Sequence, residues 1–239
     1  YSSCRNVVQN PSFENELAFW DYRTQSRIES TASEAGDFFT IDSTTAANGR
    51  SSLNMKVRKN QNACAPVTFA IPSEKNAEYT LSFYAKTDSP TPLRLCTTGH
   101  GQGGKYSGDT MLPGKSFRLS NEWKRYSYTF KAPSKILSVA FTARLDSQDV
   151  ATVWLDAVQM EKGSKFTEFA QPPFYLALKT TRQDNLFQPG EETKAAFRIV
   201  AEKPCEGTVV YRVFDVFDKQ VSSGEFSFKT AGSFVPTAI

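Results

Sequence analysis

Short segments of the chain alternate apolar and polar residues: Val67, Phe69 and Ile71; Leu81, Phe83 and Ala85; Leu93 and Leu95; Tyr126, Tyr128 and Phe130; Val139, Phe141 and Ala143; Val153 and Leu155. A period of two puts one face of each segment against a core and the other toward water, which predicts half-buried β-strands. Turn-forming clusters separate them, among them Ala47-Asn48-Gly49-Arg50, Ser73-Glu74-Lys75-Asn76 and Asp88-Ser89-Pro90. No apolar pattern of helical period is sustained over four turns. The chain is therefore expected to be all-β, with two antiparallel sheets packed face to face.

Two stretches interrupt the pattern. Thr97 to Gly114 holds six glycines (Gly99, Gly101, Gly103, Gly104, Gly108 and Gly114), with His100, Lys105, Tyr106 and Asp109 between them. This composition predicts a loop, either a rim that shapes a ligand site or a long connection. Its glycine spacing follows a predicted strand but no helix follows it, so a phosphate-cradling loop is excluded by context. The second interruption is Ala170-Gln171-Pro172-Pro173, whose paired prolines suit a stiff connector. It divides the chain into a domain over residues 1–171 and a smaller one over 172–239. The smaller part carries four or five candidate strands, including Phe174 to Leu178, Asn185 to Glu191, Ala195 to Val200, Thr208 to Phe217 and Val221 to Phe228. An immunoglobulin-like sandwich has about seven strands over about 100 residues, so this part is expected to be a small or truncated domain of that kind.

Composition narrows the function classes. Hydrophobic residues make up 39% and aromatics 13% of the 239 residues, enough for a packed core. Lys and Arg number 28 against 25 Asp and Glu and are scattered, which argues against nucleic acid as a partner. No stretch approaches the roughly 20 apolar residues of a membrane span. Tyr1 to Asn10 lack the regions of a signal peptide, and an exported chain would begin after one. Cys4, Cys64, Cys96 and Cys205 are far apart, and with His100 the single histidine they do not make a zinc pattern. Cys64 and Cys96 either bridge neighbouring strands in an exported protein or stay free and buried.

Five motifs follow in order along residues 5 to 170: Asn10-Pro11-Ser12-Phe13-Glu14 with Trp20; Ala47-Asn48-Gly49-Arg50-Ser51-Ser52-Leu53; Glu78-Tyr79-Thr80-Leu81-Ser82-Phe83-Tyr84-Ala85-Lys86; Glu122-Trp123-Lys124-Arg125-Tyr126; and Thr152-Val153-Trp154-Leu155-Asp156-Ala157-Val158-Gln159-Met160-Glu161. In this order and spacing they resemble carbohydrate-binding modules of the family four, nine, sixteen and twenty-two type. The resemblance implies a jelly-roll β-sandwich. It also implies a structural calcium ion, with Glu14 and Asp156 as side-chain ligands and backbone carbonyls near Asn48 and Arg50 completing the shell, hard cations preferring oxygen. The alternative is that the two carboxylates bond loop amides without a metal.

Modules of this type hold a sugar in a concave sheet face or across the loops at the sandwich edge, with aromatic rings on the pyranose and polar side chains on its hydroxyls. By alternation Tyr84, Lys86, Arg94 and Arg144 point away from the core, and they are expected to line such a groove with His100 and Tyr106 from the glycine-rich segment. Trp20 and Trp123 match apolar motif positions and are expected in the core, while Trp154 fits either place. Catalysis is not expected: no motif pairs two carboxyls for glycoside hydrolysis, and neither a GxSxG elbow nor a Ser/His/Asp or Cys/His pattern is present. The reading is a polysaccharide- or oligosaccharide-binding module of a secreted or cell-surface protein, with any catalytic domain elsewhere in the polypeptide. Its competitor is a structural or protein-binding sandwich without sugar affinity.

Overall fold

The computed structural model of the protein describes residues 6–23, 39–58, 65–68, 71–89, 94–101, 111–144, 150–180, 190–191, 194–215, 217–235 and 237–238. They fall into two compact units, residues 1–170 and 171–239. The strands of the first unit are β1 (Trp20–Arg23), β2 (Phe39–Asp42), β3 (Ser52–Arg58), β4 (Ala65–Thr68), β5 (Ile71–Pro72), β6 (Glu78–Thr87), β7 (Arg94–Gly101), β8 (Met111–Arg118), β9 (Lys124–Lys131), β10 (Ile136–Arg144) and β11 (Val150–Lys162). One sheet runs β1-β4-β10-β7-β8, with β5 also paired to β10, and the other runs β2-β3-β11-β6-β9. All their pairings are antiparallel. This is the jelly-roll β-sandwich that the strand pattern and the motifs predict.

Alternation builds the core. On β6 Leu81, Phe83 and Ala85 are fully buried, whereas Tyr84 and Lys86 between and beyond them are half-buried on the opposite face. The Phe83 ring meets Phe117, Tyr126 and Phe141 at centroid distances of 5.3, 5.8 and 5.2 Å. Since β8 and β10 belong to the opposing sheet, this aromatic node joins the two layers; burying one such ring contributes roughly 1.5–3 kcal/mol.

A β-bulge organises β11. The pairing with β6 shifts between Asp156 and Gln159, and Ala157 takes a left-handed φ of 47°. The extra residue reverses the parity of the strand. Val153 and Leu155 face the core before the bulge, and Val158 and Met160 after it. The N-terminal segment docks beside the bulge: the Val158 amide donates to the Pro11 carbonyl at 2.8 Å and the Val7 amide to the Met160 carbonyl at 3.0 Å. Asn10 folds its own turn, its side-chain amide donating to the carbonyls of Glu16 and Ala18 at 2.9 and 3.0 Å while Trp20 Nε1 donates to its carbonyl at 3.0 Å. That turn buries Phe13 completely and sets its ring 4.8 Å from Trp20, which is in the core as expected.

The glycine-rich segment departs from the sequence reading. Thr97 to Gly101 continue β7, in register with Phe141 to Leu137 of β10, and Met111 to Gly114 open β8. A strand paired on both sides is held by its ladder, which overrides the weak strand preference of glycine. Residues 102–110, Tyr106 among them, lie outside the described residues.

The second unit contains β12 (Tyr175–Thr180), β13 (Ala195–Val200), β14 (Cys205–Phe214), β15 (Gln220–Thr230) and β16 (Thr237–Ala238). They form a three-stranded sheet in the order β12-β13-β16 and the hairpin β14-β15. Ile199, Val209 and Phe228 make its small core. The candidate strand at Asn185 to Glu191 falls largely outside the described residues. Cys205 is a half-buried free thiol, and the pairing of Cys64 with Cys96 likewise lies outside what is described.

Candidate functional site

Two features adjoin on one side of the first unit. The first is a pair of buried carboxylates. Glu14, from the N-terminal turn, is 5% exposed, and Asp156, at the β11 bulge, is fully buried. The turn at residues 47–51 caps both with amides. Asp156 Oδ2 accepts from the amides of Ala47 at 2.7 Å and Asn48 at 2.9 Å, and its Oδ1 accepts from Ala157 at 2.6 Å. Glu14 Oε1 accepts from the amides of Arg50 at 2.6 Å and Ser51 at 3.0 Å. Burial pushes the Asp156 carboxyl up to about 8, with the Glu14 charge adding to it, against the opposing pull of those amides. With its carboxyl raised to about 8, Asp156 holds its proton at neutral pH, and the four side-chain atoms the pair could offer a cation are all oxygen. That set fits a hard cation such as calcium. The expected role of Asn48 and Arg50 is corrected in one respect: they present amide N–H groups to the carboxylates, because the turn aims its donors inward.

The second feature lies on the outer face of the five-stranded sheet. Lys86 on β6 sits between two indoles, its Nζ 5.2 Å from the ring centroid of Trp123 and 4.9 Å from that of Trp154. Each indole is pinned through its N–H. Trp154 Nε1 donates to Asp42 Oδ2 at 2.8 Å, and Trp123 Nε1 donates to Thr45 Oγ1 at 3.2 Å. Lys86 Nζ donates to the same Thr45 oxygen at 2.9 Å. Burial acts on Asp42 to raise its pKa, but hydrogen bonds from Thr44, Trp154 and Asn54 outweigh it and hold the carboxyl below its ordinary value. The pinned indoles are half-buried and leave ring surface open. Thr45 belongs to the connection whose next residues cap the carboxylates, so the two features share one piece of backbone.

The other end of this face is covered. After β11 the chain turns back, and Arg125 of β9 fastens it by donating to the Thr167 carbonyl at 2.8 Å, as well as to Ser82 Oγ at 3.0 Å and Gln159 Oε1 at 3.2 Å. Thr167 in turn donates from its amide and its hydroxyl to the two oxygens of Glu161, both at 2.8 Å. The Arg125 guanidinium lies 4.2 Å from the Phe166 ring centroid and 5.7 Å from that of Tyr84. Residues 164–169 therefore form a strap over the lower half of the face, and the open half is the end with Asp42, Trp154, Lys86 and Trp123.

The structure separates the residues that the sequence assembled into one groove. Tyr84 and Lys86 are on the five-stranded sheet, as expected of that face. Arg94 and Arg144 pair with each other on β7 and β10, and His100 is on β7 opposite Ser138, all in the other sheet. The single groove is corrected for a topological reason: β7 crosses to the opposing sheet, so alternation within each strand says nothing about which layer it joins. Trp123 is likewise corrected from the core to the sheet surface. Among the described residues no group of three or more His, Cys, Asp or Glu is gathered as for a metal, and no helix is long and apolar enough to cross a membrane.

A carbohydrate-binding domain model of the family 4 and 9 type matches residues 5–149, and the chain belongs to that family. No curated protein sequence matches this one. Among solved structures it is similar to TmCBM61 in complex with β-1,4-galactotriose, at 12% identity and a TM-score of 0.48, covering 66% of this chain and 99% of that one. It is also similar to a family 4 carbohydrate-binding module, at 18% identity and a TM-score of 0.46 over 64% and 100% of the two chains. A third is the CBM22-1 xylan-binding domain of Paenibacillus barcinonensis Xyn10C, at 17% identity and a TM-score of 0.45 over 65% and 94%.

Proposed function

We propose that the chain binds a polysaccharide or oligosaccharide on the open half of the five-stranded face, with Trp123 and Trp154 as the stacking surface and Lys86 and Asp42 beside it for hydroxyls. The observation that carries this reading is the indole pair. Two half-buried tryptophans, one on β11 and one just before β9, are each fixed by an N–H bond, so a flat apolar sugar face meets rings that need no further ordering. The glycan-binding assignment of the family supplies the ligand class. The buried carboxylate pair is proposed to hold calcium, tying the N-terminal turn, the 47–51 turn and β11 together. The wider setting follows the same reading: a module of a secreted or cell-surface glycan-degrading protein, its catalytic domain elsewhere in the polypeptide and the second, immunoglobulin-like unit serving as spacer.

Affinity gels and calorimetry over neutral and acidic polysaccharides test the site. Trp154→Ala is expected to weaken binding by about tenfold or more while leaving the melting temperature within a few degrees, since stacking residues at a contact centre carry on the order of 2 kcal/mol. Unaltered affinity in Trp154→Ala and Trp123→Ala would remove this face from consideration. Absence of binding to every glycan tried would favour the structural or protein-binding sandwich instead.

A further inference from the structure

The residue between the two indoles is a cation, and its bonding is unfinished. Lys86 is half-buried, and an ammonium has three donors, of which the structure commits one to Thr45 Oγ1 at 2.9 Å. The ion pairs found among the described residues join Arg125 to Glu168 and Lys162 to Glu74, and neither includes Lys86. The acid of the cluster, Asp42, spends Oδ2 on Trp154 and Oδ1 on the amide and hydroxyl of Thr44 at 2.8 and 2.6 Å. The indole faces compensate the charge in part, since a ring's negative face attracts a cation. Two of the three N–H donors thus remain for whatever occupies the face. On β3 Asn54 pairs with Trp154, and Lys56, two residues along on the same face, is exposed and adds a second positive charge.

Resting on the glycan-binding reading above, we infer that the ligand is an acidic polysaccharide, one whose sugar rings carry carboxylates, with Lys86 as the residue that selects for them. A uronate ring stacked on an indole can bring its carboxylate to the ammonium, whereas a neutral sugar offers only a hydroxyl. The charge-assisted bond is about twice as strong as the neutral one. The rigid setting of Lys86 matters as much as its charge. A surface lysine is free to swing away, but this ammonium lies beside two rings and is bonded to Thr45, so little order is lost on binding.

The test compares polymers that differ in charge alone. Polygalacturonate, alginate and hyaluronan are each measured beside the same polymer made neutral by methyl esterification or carboxyl reduction, with polyglutamate as a polyanion that has no sugar ring. At least one acidic polymer is expected to bind about tenfold or more tightly than its neutral form. That preference should shrink as salt is raised from about 0.05 to about 0.5 M. In Lys86→Met the ratio of acidic to neutral affinity is expected to fall toward one, and Lys86→Arg should restore part of it. Circular dichroism and the melting temperature establish that each variant is folded. Tighter or equal binding of the neutral forms overturns the inference while leaving the glycan-binding reading intact. Equal affinity for polyglutamate overturns it too, since charge alone would then explain the binding. No binding to any polymer, acidic or neutral, defeats both.

Discussion

Thr45 is the smallest residue of the aromatic cluster and the one on which its geometry turns. A single hydroxyl oxygen accepts from Lys86 Nζ and from Trp123 Nε1. Thr45→Val keeps the shape and removes that one acceptor, leaving an indole N–H and an ammonium to find other partners. Stability is expected to fall by about 1–2 kcal/mol in denaturant titrations, and glycan affinity by several-fold because the Trp123 ring loses its anchor. A variant with wild-type affinity would show that the ring is held by packing alone. None of this was legible in the sequence. Thr45 stands in the polar run Ser43-Thr44-Thr45 with no feature to distinguish it, and Trp123 carries the same apolar signature as Trp20, which is in the core. What separates the two tryptophans is strand parity at the start of β9, and parity can be assigned only once the strand boundary is known. Glu14 and Asp156, in contrast, were readable as a pair, through the resemblance of their motifs to those of carbohydrate-binding modules.

At the scale of elements, the strap is the feature that sets how much of the sheet face stays open. Arg125 is 11% exposed by its side chain and makes three bonds that would lose their donor together. Its contact with Glu168 at 3.9 Å contributes little, since that carboxylate is 97% exposed. Arg125→Ala is expected to destabilise the unit by about 2–4 kcal/mol, the cost of leaving buried acceptors without a charged donor. Hydrogen exchange is the sharper measurement: amides of residues 164–169 should lose protection well before those of β6 and β11. Uniform exchange across the unit would mean that the strap and the sheet open as one. The strap also explains an incomplete reading from sequence. Period-two alternation identified the strands and their inward residues, since each side chain's face is a local property. It could not assign β6 and β7 to different sheets, nor see that residues 164–169 return over the sheet they have just left, because both are matters of chain path.

For the whole first unit, the buried carboxylate pair is expected to couple stability to pH and, with calcium held as proposed, to that cation. Asp156 titrates at about 8 in the folded protein against 3.8 for an ordinary aspartate carboxyl, with burial as the main cause. The folded state therefore holds a proton that the unfolded chain has released. Stability from this group is complete below about pH 4 and is lost as pH rises through about 8. In chelator, then, the melting temperature is expected to fall as pH is raised across that window. Calcium bound as proposed should reverse the slope, because a cation on the two carboxylates favours their ionised forms and proton competition weakens it at low pH. Excess calcium should raise the melting temperature most near pH 8 and least near pH 4, by an amount that grows with the logarithm of its concentration. Identical pH profiles with and without calcium would show that amides alone satisfy the pair. Because Thr45 and the 47–51 cap belong to one connection, the same titration carries a functional readout: chelation near pH 8 is expected to weaken glycan binding along with stability. Unchanged affinity in chelator would mean that the aromatic face is held independently of the carboxylates below it.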